Sequence, residues 1–270
     1  MDIEILRSDL PRGRFKAVLF DFDGTLSLLR EGWPRIMCGM MVETLVRCGT
    51  GESETELGVL VEDFVMALNG RPAITQMERL VDEVRSRGGT PEVPNAYLEE
   101  YDRRLLRVVN ERAREIHDGR SSPERWAVPG SHALLTDLRR RGLKLYLASG
   151  THLRFVRSEA DLLKLSEYFC DEIHAPAGVD STFSKQAVIE RILSENNLRG
   201  EELLSFGDGV VEIQEVRRVG GTAIAVASDQ PPGALNTWKR DRLVPAGADV
   251  VIADYRNHER LIDWLFQKSI

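Results

Sequence analysis

Residues 15–20 read Phe-Lys-Ala-Val-Leu-Phe and run directly into Asp21-Phe22-Asp23-Gly24-Thr25-Leu26. A largely apolar, strand-prone run that stops in a polar, glycine-containing turn predicts a buried parallel strand. The carboxyl end of such a strand is where an open α/β sheet places its chemistry. Here that end carries two carboxylates two residues apart. On an extended strand both would share one side, and a turn at Gly24 lets them be aimed separately. Acidic groups buried at a strand end are costly without a cation, so this stretch constrains both the fold and the site.

The rest of the chain falls into two textures. Residues 3–6, Ile-Glu-Ile-Leu, read as a short extra edge strand ahead of the first core strand. From Leu28 the pattern turns helical. A first helix is expected over 33–48, with Pro34 near its start and Met37, Met41 and Leu45 four residues apart. Ser53 and Glu56 have capping-box spacing, followed by Leu57, Val61, Phe64 and Val65 on one face. Ile74, Met77, Leu80, Val81 and Val84 form a third helical face. A fourth runs over about 95–117, with Tyr97, Tyr101, Leu105 and Val108 inward. The methionines read as packed core, since methionine fills irregular interiors. No strand pattern occurs between Leu28 and Trp126, which predicts an inserted all-helical domain over 28–127.

After Gly130, helices and strands alternate. Strands are expected at 143–148, 172–174, 202–206, 222–227 and 249–252, with helices at 152–165, 185–196, 210–219 and 257–267 and Ser184 as a cap. This alternation predicts a doubly wound parallel sheet covered on both faces, an α/β core made of 1–27 and 128–270. Four element ends then gather polar groups: Asp21 and Asp23, Ser149-Gly150, Lys185, and Gly207-Asp208-Gly209-Val210-Val211-Glu212.

These four segments, in this order, resemble the motifs of the haloacid dehalogenase-like (HAD) superfamily: DxDGT, a small hydroxyl residue after a strand, a lysine at a helix start, and GDxxx(D/E), with Glu212 where Asp is common. The helical insert looks like a cap of the C1 type. The resemblance implies a Rossmann-like core and a Mg²⁺-dependent phosphatase working through an aspartyl-phosphate. Asp21 would be the nucleophile, and Asp23 the general acid and base. Ser149, Gly150 and Lys185 would hold the phosphate. The Mg²⁺ ligands would be Asp21, Asp208 and the Asp23 backbone carbonyl. Thr25 and Glu212 would support the site, Thr25 by orienting Asp23. These roles agree with what phosphoryl transfer needs: an in-line nucleophile, charge neutralisation and a proton for the leaving oxygen.

The expected partner is a small phosphorylated metabolite, with a sugar phosphate as one candidate. A net charge of −7 over 270 residues argues against nucleic acid. With no long apolar run, no membrane span or signal peptide is expected, and the cytoplasm is the default location. Cys38, Cys48 and Cys170 form no CxxC and are expected as buried free thiols. Arg71, in the turn Asn69-Gly70-Arg71-Pro72, is the candidate specificity residue of the insert. Two alternatives stay open: a sugar-phosphate mutase of the β-phosphoglucomutase kind, which returns its phosphoryl group to substrate, and a non-catalytic binding protein that keeps the fold.

Overall fold

The computed structural model describes residues 3–68, 72–177, 183–229 and 234–267. The strands are β1 (Ile3–Ile5), β2 (Ala17–Phe20), β3 (Lys144–Ala148), β4 (Ile173–His174), β5 (Leu203–Gly207), β6 (Thr222–Val226) and β7 (Val250–Ile252). They form one sheet in the order β1-β7-β6-β5-β2-β3-β4. All pairings are parallel except that of β1, which runs antiparallel to β7 with Ile3 opposite Ile252. The first acidic strand, β2, thus lies inside the sheet between β3 and β5, with Phe20 paired to both Leu147 and Phe206.

The helices are α1 (Trp33–Val46), α2 (Glu54–Ala67), α3 (Ile74–Ser86), α4 (Pro94–His117), α5 (Ser131–Arg140), α6 (Leu153–Leu162), α7 (Ser166–Phe169), α8 (Lys185–Glu195), α9 (Val210–Arg218), α10 (Thr237–Leu243) and α11 (His258–Phe266). Every residue of β2, β5, β6 and β7 is buried, because both faces of the sheet are covered. On one face Ala17, Leu19, Ala223 and Ala225 pack with Ile189 and Ile192 of α8 and with Ile213 and Val216 of α9. On the other, Phe20 stacks on Phe206 at 4.8 Å, with Phe169 and Tyr255 edge-on to the pair. Small residues where the helices come close, and aromatic residues opposite, explain the near-continuous apolar strands.

The chain divides into two compact units: Arg30–Arg114, and the described residues of 1–29 with 115–267. The sequence placed the insert at 28–127; the helical unit is shorter at both ends. Leu28 N–H donates to Trp126 O, Val128 N–H donates to Leu26 O, and Ser27 bridges Ala127. These bonds tie both flanking segments into the α/β unit. Within the helical unit the Ser53–Glu56 capping box is formed, and Met37, Met41 and Met77 are fully buried. In α4 it is Val109, not Val108, that is buried with Tyr97, Tyr101 and Leu105.

The short helices α7 and α10 were not anticipated, and one further expectation is corrected. Cys170 is exposed, since it caps α7 at φ 50° and turns out of the core; Cys38 and Cys48 are half-buried, and all three are free thiols. Among the described residues no helix is long and apolar enough to cross a membrane.

The edge is fixed by Asp249, which is fully buried. Its carboxylate accepts from Ala223 N–H at 2.8 Å and from Arg217 at 3.2 Å, and its other oxygen pairs with Arg7 at 3.2 Å. Replacing one partner of a buried hydrogen-bonded set leaves the others unsatisfied, at about 1–3 kcal/mol. Asp249→Ala is therefore expected to lower unfolding free energy by about 1–3 kcal/mol in urea titration, while Asp9→Ala, at an exposed carboxylate near the same segment, leaves it unchanged within error.

Candidate active site

The site is built at the carboxyl ends of β2, β3 and β5 and the starts of α8 and α10. Asp21 follows β2 directly; its N–H donates to Phe206 O at 3.0 Å, which extends the β2–β5 ladder by one bond. Phe22 is fully buried, so the residues on either side of it face the other way. The chain then folds over itself, with Leu26 and Ser27 N–H both donating to Phe22 O and Gly24 N–H to Ser27 O. Gly24 sits at φ +75°, and a Cβ there would collide with the Asp208 carboxylate. Only glycine meets both demands. The turn is buttressed from below: Tyr255 donates its hydroxyl to Thr25 O at 2.9 Å and Ser228 donates to Gly24 O at 2.7 Å. Gly130, at φ +85°, permits the backbone of Tyr255 to pass where a Cβ would strike its carbonyl. Burial pushes the Tyr255 phenol well above its ordinary value, so it stays a donor.

Lys185 opens α8, whose start is fixed by Ser184 accepting from Ala187 N–H at 3.1 Å. Its Nζ lies 2.6 Å from Asp21 Oδ1 and also contacts Glu212 Oε1. Asp21 and Glu212 are each 8% exposed, so this is an ion cluster held out of water. Burial pushes Asp21 up to about 6; Lys185 opposes that shift, and the nearby charges of Asp208 and Asp23 add to it. Three carboxylates here meet two ammonium groups in direct contact, because a second lysine, Lys239 of α10, pairs with Asp208 Oδ2 at 3.0 Å.

Asp23 is held from the neighbouring strand. Thr151 Oγ1 donates to Asp23 Oδ2 at 2.7 Å. Thr25, expected to orient Asp23, instead points its hydroxyl into a buried position with no hydrogen-bond partner among the described residues. Ser149 is 1% exposed at the end of β3, and its Oγ accepts from Thr151 N–H at 3.1 Å. His152 caps α6 by accepting from Arg154 N–H. Asp21, Lys185, Glu212 and Asp208 are thus brought together, with Asp23 and Ser149 linked through Thr151. Arg71 lies outside the described residues.

Sequence reading missed Thr151, Ser228 and Lys239. Thr151 stands next to a motif residue, and its position three after the β3 end was the available signal. Lys239 sits in a short charged helix whose sole local mark is the capping Asn236, which accepts from Lys239 N–H at 2.9 Å.

The residues fit a divalent cation with oxygen ligands. Asp21 is pushed up first by burial and then by the charges of Asp208 and Asp23, and three carboxylates share two ammonium groups, so the cluster is short of positive charge. Among the described residues no three acidic, histidine or cysteine side chains converge as a ready cage. Mg²⁺ does not require one, since it binds through one or two carboxylates and keeps several waters. Asp21 and Asp208, with a backbone carbonyl, meet that need.

A sheet parallel but for β1, with a buried aspartate, a lysine and a second acidic pair at its carboxyl end, defines an α/β protein with a charged site at the strand ends. The haloacid dehalogenase-like hydrolase family model matches residues 15–220. The chain therefore belongs to the haloacid dehalogenase-like hydrolases. Solved structures share the fold. A protein described as a predicted phosphoglycolate phosphatase from Haemophilus somnus aligns over 92% of this chain and 98% of its own, at 16% identity and a TM-score of 0.60. A β-phosphoglucomutase from Clostridium difficile aligns over 93% and 97%, at 12% identity and a TM-score of 0.59. A HAD family hydrolase from Deinococcus radiodurans, with bound phosphate and sodium, aligns over 93% and 96%, at 16% identity and a TM-score of 0.58. No curated protein sequence matches the chain significantly.

The raised Asp21 carboxyl sets a pH dependence. Its folded value of about 6 exceeds the ordinary aspartate value of about 3.9, so the native state favours the protonated form. The stability this supplies is full below about 4 and is lost as pH rises through about 6. In excess chelator, the thermal midpoint of the wild type is expected to fall across that window. Asp21→Asn, which cannot ionise, should show a shallower fall; equal slopes by calorimetry would place the titration elsewhere.

Proposed function

We propose that the protein is a Mg²⁺-dependent phosphatase acting on a small phosphorylated metabolite through an aspartyl-phosphate on Asp21. The observation that carries this reading is the Lys185 ammonium 2.6 Å from Asp21 Oδ1, with a second carboxylate, Asp23, two residues on and separately held by Thr151. A lone buried lysine–aspartate pair would serve structure equally well. The added, independently oriented Asp23 serves proton transfer.

In this reading an Asp21 oxygen attacks phosphorus and the bond to the leaving oxygen breaks. Lys185 spreads its charge over the Asp21 carboxylate and the incoming phosphoryl oxygens, lowering their repulsion. Ser149, with its oxygen already accepting from Thr151 N–H, has its own proton to donate to a phosphoryl oxygen, and the Gly150 N–H adds a backbone donor. Asp23, protonated, gives its proton to the departing alkoxide. As a carboxylate it then takes one from the water that cleaves the Asp21 ester, returning both groups to their starting state. Bound Mg²⁺ supplies charge neutralisation for the anionic nucleophile and phosphate. Glu212, in contact with Lys185, holds the ammonium in place.

The likeness in fold to a β-phosphoglucomutase supports a second reading, in which the phosphoryl group returns to a sugar. The two differ in product. A phosphatase releases inorganic phosphate; a mutase converts a hexose 1-phosphate to the 6-phosphate with little release.

Asp23 separates enzyme from scaffold. General acid–base catalysis contributes roughly 10²–10⁴-fold, so Asp23→Asn is expected to cost that order in kcat for alkyl phosphates. The loss should be smaller for p-nitrophenyl phosphate, whose leaving group barely needs a proton. Activity in both assays should vanish in excess chelator and return with added MgCl₂. Equal losses on both substrates would remove Asp23 from proton transfer, and full activity in chelator would remove the cation.

A further inference from the structure

Lys239 lies beyond residue 220, past the segment that the family model matches, yet its ammonium reaches the acidic end of the sheet. It is 3.0 Å from Asp208 Oδ2, with the two side chains 12% and 21% exposed. The same ammonium lies 3.3 Å from Ser228 Oγ, whose own proton goes to Gly24 O. Its backbone is fixed as well. Asn236 caps α10 by accepting from Lys239 N–H at 2.9 Å, and Asn236 N–H donates to Ala227 O at the end of β6 at 2.9 Å. The lysine is therefore anchored by the β6–α10 connection and by Ser228, independently of Asp208.

Asp208 has no such independent anchor. Its Oδ2 is packed against Gly24, where any Cβ would strike it, and forms an ion pair with Lys239. Its Oδ1 accepts no hydrogen bond from the described residues. A carboxylate gripped through one oxygen has its rotamer set and presents the other. We infer that Lys239 is a positioning residue for Asp208: it clamps Oδ2 so that Oδ1 is presented to the cation. The inference rests on the proposed Mg²⁺ reading of the same site. Two effects compete here. The lysine charge offsets part of the carboxylate's pull on a cation, while the fixed orientation removes the cost of ordering the ligand. Partners that orient metal-ligating groups typically change metal affinity by 10–100-fold when removed, which puts orientation ahead.

The test is isothermal titration of the intact protein with MgCl₂, together with the Mg²⁺-induced rise in thermal midpoint, for wild type, Lys239→Met and Lys239→Gln. Lys239→Met keeps the length of the stem and removes the donor. It is expected to weaken Mg²⁺ binding by at least about tenfold and to shrink the thermal shift in step. Lys239→Gln retains an N–H donor and should fall between Lys239→Met and wild type. Binding in Lys239→Met equal to or tighter than wild type overturns the inference and makes the lysine a bystander or a competing counter-ion. If Lys239→Met does not fold by circular dichroism, Lys239→Gln decides by the same direction. A wild type that binds no Mg²⁺ overturns the proposed function itself, and this inference falls with it.

Discussion

The site depends on one electrostatic arrangement: a carboxylate, Asp21, buried at the end of a central parallel strand and faced by the Lys185 ammonium at 2.6 Å. Burial alone would drive that carboxyl to its neutral form, and it does push the group up to about 6. Lysine offsets part of the cost without removing it, since Glu212 shares the same ammonium and Asp208 and Asp23 lie close by. A nucleophilic carboxylate needs to be desolvated to react and charged to attack. In the proposed reading the site meets both demands by keeping a surplus of negative charge that a divalent cation would neutralise.

Sheet topology delivers these groups to one place. β2 lies between β3 and β5, so the ends of the three strands are adjacent although their residues are far apart in the chain. Thr151 at the β3 end reaches Asp23 after β2, and Glu212, following β5, shares Lys185 with Asp21. The turn carrying Asp23 is fixed by Ser228 and Tyr255, which bond the carbonyls of Gly24 and Thr25. Each of these contacts comes from an element with its own packing reason to be there. The site therefore borrows its rigidity from the core.

Much of this was legible in the sequence, for reasons that are local. The apolar run before Asp21, the glycine at positive φ, the Ser53–Glu56 box and the Ser184 cap are patterns of a few adjacent residues, and each forms as expected. What was not legible depends on distance. Thr151 and Asp23 are 128 residues apart, and the place of Thr151 beside a motif residue does not say which group it meets; Thr25, two residues from Asp23, was the local choice, but its hydroxyl has no hydrogen-bond partner among the described residues. α10 escaped because seven largely polar residues with only Leu243 buried carry no periodic face. In α4 the buried positions Tyr97, Tyr101, Leu105 and Val109 step by four, so the covered face winds round the helix and takes in Val109 rather than Val108. Cys170 was read from its apolar neighbours, whereas a left-handed helix cap turns it to solvent.

The central claim is that Asp21 carries the phosphoryl group. Rapid quenching of a single turnover with a labelled phosphomonoester in the presence of Mg²⁺, followed by peptide mapping, tests it most directly. Label on Asp21, within the peptide that includes Phe20 and Phe22, is the predicted result. Label on Ser149, on His152 or on any other side chain, or steady release of phosphate by direct attack of water with Asp21 unmodified, would contradict it.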